Sequence, residues 1–111
     1  MYSKELIKGS LKTLLLSLLD EQGEMYGYEI TQTVKERTSE GIQLTEGALY
    51  PALHKLEDKG FVSTHHKIVN GRNRKYYTLT PEGKSEAEKA KKGWKQFSSM
   101  MEKLMQYDFY A

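Results

Sequence analysis

The sequence predicts a mainly α-helical protein with one small β-hairpin, and three observations carry that prediction. Apolar residues recur at helical spacing in successive stretches before Gly60. The pattern then switches to β-branched and aromatic residues on either side of Asn70-Gly71, the strongest two-residue hairpin signal. A last stretch repeats Ala87, Ala90, Trp94, Phe97, Met101 and Leu104 at alternating steps of three and four, the spacing of a coiled-coil seam.

Each element follows from these patterns. From about Glu5 to Glu21, Ile7, Leu11, Leu14, Leu15 and Leu18 share one helical face. Leu6, Leu16 and Leu19 lie off that face, which implies a second contact surface for the first helix. Gly23 and Gly27 bracket a turn, and a shorter helix containing Ile30 and Val34 follows and ends before Gly41. Tyr28 is expected in its packed surface. Thr45 is a good N-cap for a third helix, which runs through Leu49, Leu53 and Leu56 to Gly60, the expected stop. Pro51 conflicts with a regular helix interior, so the helix is expected to bend there or to have an irregular first turn. Phe61 to Val69 reads as a strand and Arg74 to Leu79 as its partner, with Tyr77 and Leu79 facing the core and Tyr76 facing away. Thr80-Pro81-Glu82 opens the last helix with an N-cap, a proline at the first helical position and an acid in the first turn. That helix is expected to reach about Tyr107, some 40 Å, longer than the remaining domain can cover. The surplus is expected to pair with a second protomer. Tyr107, Phe109 and Tyr110 would then form a dimer-clasping tail or a loose end.

The chain has 111 residues, of which 38% are hydrophobic and 29% charged, enough for one modest core and too few for two domains of enzyme size. Cysteine is absent, which removes disulfides, thiolate zinc sites and a cysteine nucleophile. Lys12 interrupts the N-terminal apolar run and no small-residue cleavage site follows it, so neither a signal peptide nor a membrane partner is expected and the location is cytoplasmic.

The net charge of +2 conceals an uneven distribution: −2 over residues 1–40, +3 over 41–80 and +1 over 81–111. Between Lys67 and Lys75 stand Lys67, Arg72, Arg74 and Lys75 with no acid. Such a cluster is commonly only a solvated turn. Its place at the tip of a hairpin that follows three helices gives it meaning, because this is the order of a winged helix-turn-helix. In that arrangement the third helix enters the major groove and the hairpin wing meets adjacent phosphates or the minor groove. Residues 1–80 are then the DNA-binding domain and residues 81–111 the dimerisation helix and tail. With its leucines inward, the third helix offers Thr45, Gly47, Tyr50, His54 and Lys55 to DNA, and the wing adds Arg72, Arg74 and Lys75.

Tyr26-Gly27-Tyr28-Glu29-Ile30, Thr45-Glu46-Gly47-Ala48-Leu49-Tyr50-Pro51-Ala52-Leu53, Leu56-Glu57-Asp58-Lys59-Gly60-Phe61-Val62 and Arg74-Lys75-Tyr76-Tyr77-Thr78-Leu79-Thr80-Pro81-Glu82-Gly83 together resemble the PadR family of bacterial transcriptional regulators. The likeness spans about residues 5 to 105. It implies a homodimeric repressor acting on a roughly palindromic operator, with the single C-terminal helix of the shorter members, and it implies that Pro51 is tolerated in the recognition helix. By the same resemblance Tyr50 is a DNA-contacting position and Arg74 and Lys75 lie in the wing. In drug-binding members a tryptophan near position 94 stacks on flat aromatic ligands between protomers. Trp94, Phe97 and Met101 therefore have two readings, an effector site or a dimer seam alone.

No enzyme chemistry is expected. His65 and His66 are strand neighbours pointing to opposite faces, His54 lies on a helix, and no phosphate loop, HExxH pattern or nucleophile elbow is present. No metal or cofactor is expected either. The alternative from another class is a winged-helix module that binds a protein partner. It is disfavoured because such a module has no need of an acid-free basic wing.

Overall fold

The computed structural model describes residues 3–106. The elements follow in the order α1 (Lys4–Gln22), β1 (Glu24–Tyr26), α2 (Gly27–Arg37), α3 (Glu46–Asp58), β2 (Val62–Val69), β3 (Arg72–Leu79) and α4 (Pro81–Met105). The helix boundaries are set by the residues the sequence marks. Thr45 Oγ1 accepts from the Ala48 amide at 3.2 Å, and Thr80 Oγ1 accepts from the Gly83 amide at 3.0 Å. At the end of α3 the amides of Gly60 and Phe61 donate to the carbonyls of Glu57 and Leu56, the paired bonds of a Schellman stop. Pro51 leaves α3 unbroken, and its solvent-exposed place puts the missing hydrogen bond at the surface. The segment Tyr107, Phe109 and Tyr110 lies outside the described residues.

The sheet has three strands rather than two, ordered β1-β3-β2 and antiparallel throughout. Sequence periodicity does not reveal β1, because a three-residue strand shows no alternation; its pairing of Glu24 with Thr78 and Tyr26 with Tyr76 is purely tertiary. The β2-β3 hairpin has Val69 opposite Arg72, so Asn70 and Gly71 alone form the loop. Both take positive φ, 52° and 76°, as a type I′ turn requires. Strand β3 begins at Arg72, two residues before the expected start.

One core unites all helices with the sheet. Leu15, Leu16, Leu49, Leu53 and Ile30 are fully buried, and Met25 and Tyr77 close the core from the sheet side. Leu16 and Leu19, assigned by periodicity to a second contact surface, are buried within the chain's own core. The physical reason is that α1 is enclosed, touching α3, α4, β1 and β3, so it needs apolar residues around most of its circumference. Leu6 alone of the three stays outside, 68% exposed.

The first half of α4 lies on α1 and is tied to it by Lys12–Glu86 and Lys91–Asp20 ion pairs, both at 2.7 Å, with Ala87 buried between. Its second half extends beyond the core, and the described residues span 53 × 30 × 21 Å. The start of α4 is pressed onto the turn after α3: Gly83 is buried, and a Cβ there would overlap the Phe61 carbonyl. Phe61 is also fixed by the hydrogen bond from the Thr80 amide to its carbonyl oxygen. Replacing Gly83 by alanine is therefore expected to cost about 3 kcal/mol, because backbone rather than a yielding side chain must move. A lowered urea midpoint with unchanged slope checks this.

Candidate nucleic-acid interface

The helix-turn-helix pair is α2 and α3. Leu49, Leu53 and Leu56 fix the rotation of α3 by burying one face, which leaves Thr45, Glu46, Gly47, His54 and Lys55 exposed on the other. Thr45 Oγ1 accepts from the Ala48 amide as an N-cap, which fixes the hydroxyl while leaving its O–H proton free to donate to a partner. Gly47 adds no side chain at the start of the helix, where unpaired amides favour anions.

Tyr50 does not stand out from the helix as freely as His54. Its ring packs against the core, and its hydroxyl lies so close to Gly27 that any Cβ at position 27 would strike it. Tyr50 thereby joins α3 to the first turn of α2 while remaining partly accessible. The placement of Tyr28 is the reverse of the sequence expectation: it is 62% exposed. The buried stripe of α2 is Gly27, Ile30 and Val34, and position 28 lies about 100° from it.

These residues meet the wing in a cleft of about 210 Å³, lined by Tyr26, Tyr28, Tyr50, Asn73, Arg74 and Lys75. Tyr77 forms its floor, and burial pushes the phenol up, which keeps it neutral. The cleft thus brings the α2 start, the recognition helix and the Asn73–Lys75 stretch of the wing to one place.

The wing's charge differs from the linear count in one respect. Glu24 of β1 reaches across β3 to place Oε2 3.1 Å from His65 Nε2 and 2.7 Å from Lys67 Nζ. The Lys67 ammonium holds the Glu24 carboxyl below its ordinary range. Lys67 is therefore paired, and the stretch that is acid-free in sequence is not acid-free in space. Arg72, Arg74 and Lys75 have no carboxylate partner among the described residues. The remaining wing cations are available to phosphates, while Lys67 is partly neutralised.

Trp94, Phe97 and Met101 stand apart from this surface, on α4. Trp94 and Phe97 are 50% and 60% exposed and Met101 is half-buried. With Lys12, Thr13, Glu86 and Ala90, the two aromatics wall a shallow open groove of about 370 Å³ between α1 and α4.

A helix-turn-helix with an exposed recognition face and a basic wing defines a winged-helix regulator that binds DNA. Residues 15–89 match the transcriptional regulator PadR-like family, and the chain belongs to that family. Over 77 residues it is 39% identical to the negative transcriptional regulator PadR of Bacillus subtilis, covering 68% of this chain and 42% of that longer protein. It is 31% identical to an uncharacterized protein of Lysinibacillus sphaericus over 96% of this chain and 97% of the relative. Among solved structures, a transcriptional regulator from Clostridium thermocellum superposes with a TM-score of 0.82 at 32% identity, covering 93% of this chain and 97% of that one. A PadR-like transcriptional regulator from Bacillus cereus does so with a TM-score of 0.78 at 26% identity, over 95% and 100% of the two chains. Members of the family regulate transcription and are not enzymes. Among the described residues no helix is long and apolar enough to cross a membrane.

Proposed function

We propose that the chain is a cytoplasmic, sequence-specific repressor that binds a roughly palindromic operator as a homodimer. Residues 1–80 supply the DNA contacts, and residues 81–111 join the two protomers. The observation that carries the proposal is the cleft between recognition helix and wing, where Arg74 and Lys75 stand without carboxylate partners beside Tyr50 of α3, with Arg72 exposed further along the same strand. A protein-binding module has no use for that arrangement, whereas the phosphates of a duplex do. Repression is supported by the name of the Bacillus subtilis relative, a negative regulator. Selection of bound duplexes from a random pool tests the proposal. An enriched inverted repeat with half-sites about one helical turn apart supports it, and no enrichment over input removes it.

The groove beside Trp94 supports control by a flat hydrophobic effector. A half-exposed indole with a neighbouring phenyl ring offers a stacking surface for such a compound. Planar hydrophobic compounds at about micromolar concentration are then expected to quench Trp94, the only tryptophan, and to weaken operator binding. Fluorescence unchanged across a broad panel would assign Trp94 to packing between protomers.

A further inference from the structure

Arg74, Lys67 and Lys75 each lie over an aromatic ring, but among the described residues only Arg74 has a buried side-chain nitrogen without a partner. Its guanidinium carbon lies 4.4 Å from the centroid of the Tyr26 ring, and it makes no ion pair or side-chain hydrogen bond among the described residues. Its Nε is buried without a partner. Arg37, in contrast, is spent on Glu21, and Lys67 on Glu24. A half-buried guanidinium fixed by an aromatic face, with its hydrogen-bonding capacity unused, is a cation oriented in advance.

The Tyr26 ring is itself buttressed. It meets Tyr76 edge to face at 5.4 Å, and Tyr76 stacks on His65 at 5.7 Å. Backbone pairing of Tyr26 with Tyr76 fixes the strand beneath. Immediately after Tyr26 the chain enters α2, so Arg74 lies beside the first turn of a helix of 11 residues. The nearby acid, Glu29, accepts from the Tyr26 amide at 3.3 Å, which holds its carboxylate on the backbone. The cleft containing Arg74 opens to solvent past Tyr28, Asn73 and Lys75.

We infer that Tyr26 is a positioning residue that holds Arg74, two residues along the strand from the turn-flanking Arg72, to grip one DNA backbone phosphate. This presupposes the DNA binding proposed above. Tyr26 itself need touch no DNA; it acts through the orientation of the guanidinium, whose planar fork suits two phosphate oxygens.

A double-mutant cycle in the full chain tests this, with a short mixed-sequence duplex at low salt as the probe. Tyr26→Leu is expected to weaken binding about tenfold and Tyr26→Phe by less than about twofold, since phenylalanine keeps the ring. Arg74→Gln is expected to weaken binding about tenfold and to lower the slope of log K against log salt by about 0.9 for each protomer engaged. Adding Tyr26→Leu to Arg74→Gln is expected to change nothing further. Equal losses from Tyr26→Leu in both backgrounds would overturn the inference, because they would show a general structural role. Should Tyr26→Leu fail to fold, Arg74→Lys decides: it keeps the charge but loses the planar stack. An affinity near that of Arg74→Gln supports the inference, and wild-type affinity overturns it. If the wild-type chain binds no duplex at all, the DNA-binding proposal fails first, which is a different result.

Discussion

Arg72→Glu combined with Arg74→Glu is expected to abolish retention of duplex DNA in a gel shift and to leave the proposed dimer intact by light scattering. Each reversal removes two units, so the pair moves the formal charge of the chain from +2 to −2. All of that change falls on the wing. Arg72 is exposed beside the Asn70-Gly71 turn and Arg74 lies two residues further along the same strand, so together they carry the charge of the turn-proximal half of the hairpin. If each neutralises one phosphate in each protomer, their loss lowers the salt slope by about 3.6. The two acids then repel the same phosphates. Lys67 cannot compensate, because it is already paired with Glu24. The substitution is far from α4, where the dimer is proposed to form, which separates lost DNA binding from lost assembly. Unimpaired binding by this variant would remove the wing from the interface. A wild-type chain that ignores DNA would instead favour the protein-interaction alternative.

The parts of this interface that were legible in the sequence are those determined by neighbours in the chain. Thr45 and Thr80 cap helices through amides three residues away, and Asn70-Gly71 fixes its hairpin through its own dihedral angles. Leu49, Leu53 and Leu56 orient α3 by spacing alone. What escaped depends on contacts between distant segments. Strand β1 exists only because Glu24, Met25 and Tyr26 find the edge of β3, and three residues between glycines otherwise read as a turn. That one strand brings Glu24 to Lys67 and Tyr26 to Arg74, so missing it hides both the neutralised lysine and the oriented arginine. Tyr28 is a different case. The spacing of Gly27, Ile30 and Val34 places it off the buried face, and an aromatic ring suggests a packing that this spacing does not support.

Phe97→Glu combined with Leu104→Glu is expected to convert the proposed dimer to monomers without disturbing the protomer's fold. On α4, Trp94, Phe97, Met100, Leu104 and Met105 are between 50% and 77% exposed, while Ala87 on the same helix is fully buried. The helix therefore belongs to its own core at one end and presents an uncovered apolar surface at the other. A soluble monomer seldom leaves so many large apolar residues together in water. Two copies related by a two-fold axis can cover the same stripe with itself, as the alternating three- and four-residue spacing favours. A carboxylate at each of two seam positions places like charges opposite one another in a drying interface, a cost of several kcal/mol for each protomer pair, about enough to dissociate a micromolar dimer. The protomer itself loses little, because both side chains are largely in solvent already. Size-exclusion light scattering should therefore report half the mass while the thermal transition of the winged domain persists. Operator affinity should fall by about a hundredfold or more, because binding the second half-site ceases to be intramolecular. The salt slope should also approach half its wild-type value, since one wing and one recognition helix remain on the DNA. A dimer that survives both substitutions would place the interface on the exposed start of α1 near Leu6 and leave the α4 stripe to another partner.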